Sequence, residues 1–207
     1  MELDEVAERG LVLVGCGRMG SALLEGWLGR GVPASAVSVR EPHPSDWLRA
    51  TGVALDGPMP EAPAVVLVAV KPQMMESALP GLRGFGNGGT LVVSVAAGTT
   101  IAQYESVLGA RTPVIRTMPN TPAAVGRGIT ALIGNAMARP AHMALAGRLM
   151  AAVGEVVTLE SEAQMDAVTA VSGSGPAYVF HLIEALAAAG EDAGLPPGLA
   201  MRLARAT

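Results

Sequence analysis

Short apolar runs recur along the first 160 residues, each followed by a polar loop and then by a segment with helical spacing. The runs fall at Leu11–Val14, Ala36–Val39, Ala64–Val70, Leu91–Val95, Val114–Arg116, Ile129–Ile133 and Glu155–Leu159, and their length and valine content mark them as strands. Several are apolar at successive positions instead of alternating, which is the pattern of strands buried on both faces and predicts parallel pairing under two layers of helices. Apolar residues three and four apart predict helices over Met19–Leu28, Trp47–Ala50, Gln73–Leu79, Ile101–Leu108 and Ala141–Val153. Strand and helix alternate, so the expected fold is α/β with a doubly wound, mostly parallel sheet.

From Ser161 the strand signal stops. The remaining chain is rich in Ala and Leu with helical spacing, interrupted at Gly173–Pro176 and at "GLPPG", residues 194–198. This divides the chain into an α/β unit over 1–160 and a smaller all-helical unit over 161–207. A helical unit of that size cannot bury its apolar stripe by itself, which predicts that it packs on further chain or on a second subunit. The last segment, "GLAMRLARAT", keeps its period through Ala200, Leu203, Ala204 and Thr207 without a stop signal, so its helix is expected to run on past Thr207.

Composition narrows the class. Half of the 207 residues are hydrophobic but only 3% are aromatic, so the interior is built from Ala, Val, Leu, Ile and Met, with 26 glycines permitting close approach. A formal charge of −4 with 14 dispersed Lys and Arg residues argues against a nucleic-acid partner. No apolar run approaches the roughly 18 residues of a membrane span. The acidic start "MELDEVAERG" lacks the basic and apolar regions of a signal peptide, so a cytoplasmic protein is expected. One cysteine and histidines at 43, 142 and 181 predict neither a disulfide framework nor a metal site.

The chemistry begins after the first strand. "GCGRMG" places Gly15, Gly17 and Gly20 in the G-x-G-x-x-G spacing between a strand and a helix. There the first glycine makes the tight turn, the second lets a pyrophosphate approach the backbone, the third lets helix pack on strand, and the helix N-terminus faces the anion. Together with the alternating pattern this predicts a Rossmann-type dinucleotide site that includes Cys16, Arg18 and Met19, with Cys16 a small spacer and not a nucleophile. Near the end of the second strand, "VREP" offers Glu41 for a ribose 2′-hydroxyl, as for NAD, or Arg40 for a 2′-phosphate, as for NADP. The NADP reading is favoured. "AVKP" puts Ala69, Val70, Lys71 and Pro72 at the carboxyl edge of the third strand, and "SVAAG" puts Ser94, Ala96, Ala97 and Gly98 where small residues let a flat ring lie on the backbone. "RTMPNTP" adds Asn120 and Thr121 between two prolines. Three such loops at one edge of the sheet point to a site.

"GCGRMG", "VAVKPQ", "SVAAGT", "RTMPNTPAAVGRG" and "DAVTAVSGSGPAYVFHLIEALAAAGEDAGLP" stand in an order and spacing that resembles the Δ1-pyrroline-5-carboxylate reductases, over essentially the whole chain. The resemblance implies a Rossmann domain followed by a helical dimerisation domain, a homodimer or an oligomer of dimers, and NAD(P)H reduction of L-1-pyrroline-5-carboxylate to L-proline, the last step of proline biosynthesis. It also implies that Asn120, Thr121, Ser174 and Gly175 line the imino-acid pocket, and that the hydroxyl meeting the substrate nitrogen lies in a segment beyond Thr207. A related NADP-dependent oxidoreductase of the β-hydroxyacid type would carry a catalytic lysine on the long helix, and Val168–Leu186 contains none. A dinucleotide-binding sensor without turnover is the remaining alternative.

"VSGSGPAYVFHLIEAL", residues 171–186, follows no strand, so it is not a second phosphate loop. Pro176 suits a first helical turn with Ser174 or Gly175 as its cap, and this helix start is expected to face the nicotinamide end of the cleft. Tyr178 and His181 share a helical face with Ser174, where apolar neighbours favour a core or subunit-interface role, and Asp166 is read as a helix-terminal or salt-bridging charge.

Overall fold

The computed structural model describes residues 3–207, so the first two residues of the unit expected over 1–160 lie outside the described residues. Eight strands form one sheet: β1 (Leu11–Val14), β2 (Val37–Arg40), β3 (Ala54–Leu55), β4 (Val65–Val68), β5 (Leu91–Ser94), β6 (Val114–Met118), β7 (Gly128–Gly134) and β8 (Gly154–Thr158). Their order is β3-β2-β1-β4-β5-β6-β7-β8. Around them lie α1 (Asp4–Arg9), α2 (Arg18–Gly29), α3 (Asp46–Ala50), α4 (Met75–Ala78), α5 (Ile101–Leu108) and α6 (Pro140–Met150), and the carboxyl-terminal stretch is helical through α7 (Met165–Val168), α8 (Gly175–Asp192) and α9 (Pro197–Ala206). The fold is therefore the expected doubly wound sheet with a helical extension.

Each central strand feeds two cores. Leu11, Leu13, Val65 and Leu67 face one layer with Leu23, Leu24 and Trp27 of α2, and Val12, Val14, Val66 and Val68 face the other with Tyr104 and Leu108 of α5. This is why the runs are apolar at every position. Trp27 is fully buried and its Nε1–H donates to the Leu149 carbonyl at 2.9 Å, which pins α2 to the end of α6.

The structure departs from the sequence pattern at four elements. The two-residue β3 is too short to show a period, and α1 buries only Val6. The helix expected over Gln73–Leu79 is a 3-10 turn at Pro72–Met74, the single turn α4, and a second 3-10 stretch over Leu79–Phe85, where Pro80 removes a donor and two glycines lower helix propensity. Strand β7 runs antiparallel to β6, since the turn Thr121–Val125 is too short for a crossover.

Strand β8 joins β7 through a close glycine pair, with Gly154 opposite Gly128 at φ +150. A Cβ on Gly154 would collide with the Gly128 carbonyl. Gly154→Ala is expected to cost about 2–4 kcal/mol, measured as a lowered urea midpoint at unchanged slope.

Candidate functional site

The glycine-rich loop leaves β1 under steric constraint. Gly15 sits at φ +89 and donates its N–H to the Arg40 carbonyl at 2.8 Å, while a Cβ there would lie 2.8 Å from the Ala69 oxygen. Gly20 packs directly on the Gly15 carbonyl, bringing α2 against the strand. Gly17 differs from both: its φ of −71 suits any residue, and no atom lies within 4 Å of where a Cβ would stand. Neither backbone strain nor packing requires glycine at 17. The open space is what a group approaching the backbone from outside needs. Gly17 is also the N-cap of α2, with no side-chain cap and no acidic residue in the first turn, so the first N–H groups of the helix have no acidic partner from their own turn.

Glu41 is tied to this loop. Its Oε2 accepts the Cys16 N–H at 2.8 Å and its Oε1 accepts the His43 N–H at 3.0 Å. The Glu41 N–H in turn donates to Asp56 Oδ1 at 3.3 Å. Burial, helped by the Glu41 charge, pushes the Cys16 thiol up to about 11, so it stays protonated at neutral pH and is no nucleophile. Gly15, Gly17, Arg40, Ala69, Val70 and Lys71 then line one cleft of about 500 Å³ at the carboxyl edge of β1, β2 and β4.

The remaining expected residues sit farther along that edge. Pro72, Ala97 and Gly98 share the next groove, between α4 and α5. Ser94 is fully buried, and its Oγ accepts the Ala96 N–H and the Tyr104 hydroxyl, so it shapes the loop from beneath and does not face a ligand. Ala96 is itself 3% exposed. Arg18 and Met19 share a groove of about 500 Å³ with Thr121. Asn120 spends its Oδ1 on the Ile129 N–H at 2.9 Å, which ties the β6–β7 turn.

The serine-glycine stretch is not the capped helix start its residues suggest. Ser174 is helical (φ −91, ψ −19) and makes no side-chain cap, because the chain is already helical before it and passes through a π-turn at Thr169–Gly173 into α8. The Ser174 N–H reaches back to the Thr169 carbonyl at 2.8 Å. Pro176 explains this: it has no N–H to offer and its ring would strike the carbonyl four residues earlier, and a wider turn absorbs both. Thr169 and Ser172 turn their hydroxyls onto the Met165 and Val168 carbonyls. Gly173 lies against Met118, where a Cβ would come 2.7 Å from the methionine methyl. Ser174 and Gly175 therefore follow a contact with the end of β6, and Asn120 and Thr121 follow the same strand end, so the two segments expected to line the imino-acid pocket start from one point of the fold.

Three residues at the site's foundation escape motif reading: Tyr104, Arg116 and Glu162. Arg116 is 5% exposed and pairs with Glu162 at 2.9 Å. The available signal is a lone arginine in the apolar run "VIRTM". Tyr178 and His181 are exposed on α8 together with Phe180 and Leu182, outside any core of the protomer. Among the described residues no cluster of His, Cys, Asp and Glu could hold a metal ion, and no helix is long and apolar enough to cross a membrane.

Comparison with known proteins agrees with this geometry. A family model described as pyrroline-5-carboxylate reductase dimerisation matches residues 162–207, and one described as NADP oxidoreductase, coenzyme F420-dependent, matches residues 10–98. The pyrroline-5-carboxylate reductase of Pseudomonas aeruginosa is 41% identical over 199 residues, covering 93% of this chain and 73% of that one. A pyrroline-5-carboxylate reductase structure from Coxiella burnetii superposes with a TM-score of 0.87 at 31% identity, covering 95% of this chain and 76% of the other. The pyrroline carboxylate reductase of Plasmodium falciparum, with NADP bound, gives 0.82 at 27% identity over 94% of this chain and 74% of the other. With a glycine cradle open to an anion and a relative 41% identical over most of its length, this chain belongs to the pyrroline-5-carboxylate reductase family.

Proposed function

We propose that the chain reduces L-1-pyrroline-5-carboxylate to L-proline with NADPH, as a cytoplasmic homodimer or oligomer of dimers, with residues 1–160 holding the cofactor and 161–207 forming the subunit contact. The observation that carries this is the cradle itself: Gly15 and Gly20 are glycine for packing, and Gly17 is glycine with empty space above it. The residues present fit a dinucleotide. Gly17 and the first turn of α2 take the pyrophosphate, and Lys71 lies on the same cleft. Ala97 and Gly98, small residues on the neighbouring groove, are the positions this reading assigns to the ring.

Glu41 supports the phosphorylated cofactor over NADH. Each of its oxygens already accepts a backbone N–H, which holds the carboxylate down on the loop and turns it toward Cys16 and His43. Arg40, on the same cleft, is left to pair a 2′-phosphate. Arg40→Ala is expected to raise the KM for NADPH by about tenfold to a hundredfold and to leave that for NADH within about twofold, as removal of a charge-assisted pair predicts.

Bound in this cleft, the nicotinamide supplies the hydride for the imine carbon, and the nitrogen takes a proton. The chain's own task is orientation, which this reading gives to Asn120 and Thr121 at the end of β6 and to Ser174 after the π-turn; the contact of Gly173 with Met118 supports it by bringing the two segments to one strand end. The test follows NADPH absorbance with racemic pyrroline-5-carboxylate, using this chain and a form extended to the length of its relatives. Proline formed by either one supports the reading; NADPH bound without proline from both overturns it in favour of a sensor.

A further inference from the structure

Arg116 is a charged residue in the middle of the apolar strand β6, almost entirely out of water. Its Nη1 lies 2.9 Å from Glu162 Oε1, and that same oxygen accepts the Ile101 N–H at 2.9 Å. Ile101 is the first residue of α5, where Thr100 and Gln103 already close a capping box from within the helix. The Ile101 N–H is the donor there that reaches 61 residues along the chain. One carboxylate oxygen therefore joins β6, the start of α5 and the first residue of the segment matched as a dimerisation region.

A second set of bonds runs from the same place to the same loop. Thr117, next to Arg116, donates its hydroxyl to the Ser94 carbonyl at 2.8 Å, and Ser94 Oγ accepts the Ala96 N–H at 3.1 Å and the Tyr104 hydroxyl. Burial holds the Tyr104 phenol up at about 12, against the Ser94 hydrogen bond and the Arg116 charge, so it remains a donor throughout the physiological range. The Ala96–Gly98 loop is thus gripped at both ends, at Ser94 below and at Ile101 beyond. A buried ion pair is a poor source of stability, since desolvation offsets most of its attraction, but its hydrogen bonds are directional. Direction is what a loop under a flat ring requires.

We propose that Arg116 and Glu162 are positioning residues that couple the dimerisation segment to the Ala96–Gly98 loop and thereby set the orientation of the reduced nicotinamide. The assignment rests on the cofactor reading above for the role of that loop. Neither residue touches the reacting atoms; both act through the start of α5 and through Ser94.

Two substitutions separate reach from charge. Glu162→Asp keeps the charge but retracts the carboxylate by one carbon–carbon bond, so it cannot hold Arg116 and the Ile101 N–H together. Glu162→Gln keeps an acceptor oxygen at full reach but leaves Arg116 without its counter-charge. Each is compared with the parent in thermal midpoint, NADPH affinity by calorimetry, emission of bound NADPH, and kcat on pyrroline-5-carboxylate. The expected result is a crossing pattern. Glu162→Asp keeps its melting temperature and NADPH affinity, with kcat lowered about tenfold and the emission altered, as a small misplacement of the ring predicts. Glu162→Gln melts earlier but keeps the emission and kcat close to the parent's. Emission and kcat that simply follow the melting temperature, with the glutamine variant the worse of the two, would overturn the proposal. A parent that binds NADPH without reducing the imine removes the reductase reading, and the emission comparison still decides the role of Glu162.

Discussion

Gly17→Ala is expected to leave the melting temperature within about 1 °C of the parent while weakening NADPH binding about a hundredfold, and Gly15→Ala to lose both stability and binding. The two glycines are adjacent in the motif but differ in what surrounds them. At Gly15 the backbone is at φ +89 and an added methyl would press on the Ala69 carbonyl and a Val70 methyl at 2.8 and 2.9 Å, so the loop must lift from the end of β4. At Gly17 the backbone is extended and the methyl meets nothing. On the proposed reading, the neighbour it would acquire is the cofactor's pyrophosphate. Calorimetry with NADPH beside thermal unfolding checks the pair. Unweakened binding by Gly17→Ala would mean that no anion approaches the loop at that point.

Leu182→Asp is expected to convert the assembly to single chains at micromolar concentration, read as a fall in molar mass by light scattering. Along the 18 residues of α8 Ala187 is the one buried residue, whereas Phe180 and Leu182 are 62% and 60% exposed. Their neighbours Val179 and Leu186 and, on α9, Leu199 and Leu203 extend an apolar surface too large for a helix pair to leave in water. Burying one leucine contributes about 1.5–3 kcal/mol, and a two-fold interface counts it twice. Replacing it with a carboxylate forfeits that and adds a desolvation cost, enough for a weakening of at least about a thousandfold. An unchanged mass would place the subunit contact elsewhere.

Much of the α/β unit is legible because its physics is periodic. Leu11 to Val14 and Val65 to Val68 are apolar at every position since a core lies on each side of them, and Ile101–Leu108 coincides with its expected helix because its cap, apolar face and terminal glycine all agree. Where the signal is short, it fails: β3 spans Ala54–Leu55, and α1 rests on Val6. The glycine motif locates the cleft, but its spacing does not distinguish Gly17, kept open, from Gly15, kept for its φ. The pairing of Glu41 with Cys16 joins residues 25 apart, so no local pattern announces it.

By itself the sequence determined the order of the longer strands and helices, the edge of the sheet that carries the loops, and the helical character of the carboxyl-terminal segment. Each of these depends on the local period of apolar residues and on glycine and proline at fixed offsets. Tertiary structure alone decided that the serine-glycine stretch is a π-turn within a running helix, that Ser94 supports its loop from inside, and that Arg116 finds Glu162 across 46 residues. Those outcomes turn on which hydrogen-bonding groups are left without water when distant segments pack together, and a buried donor takes whichever acceptor the fold brings to it.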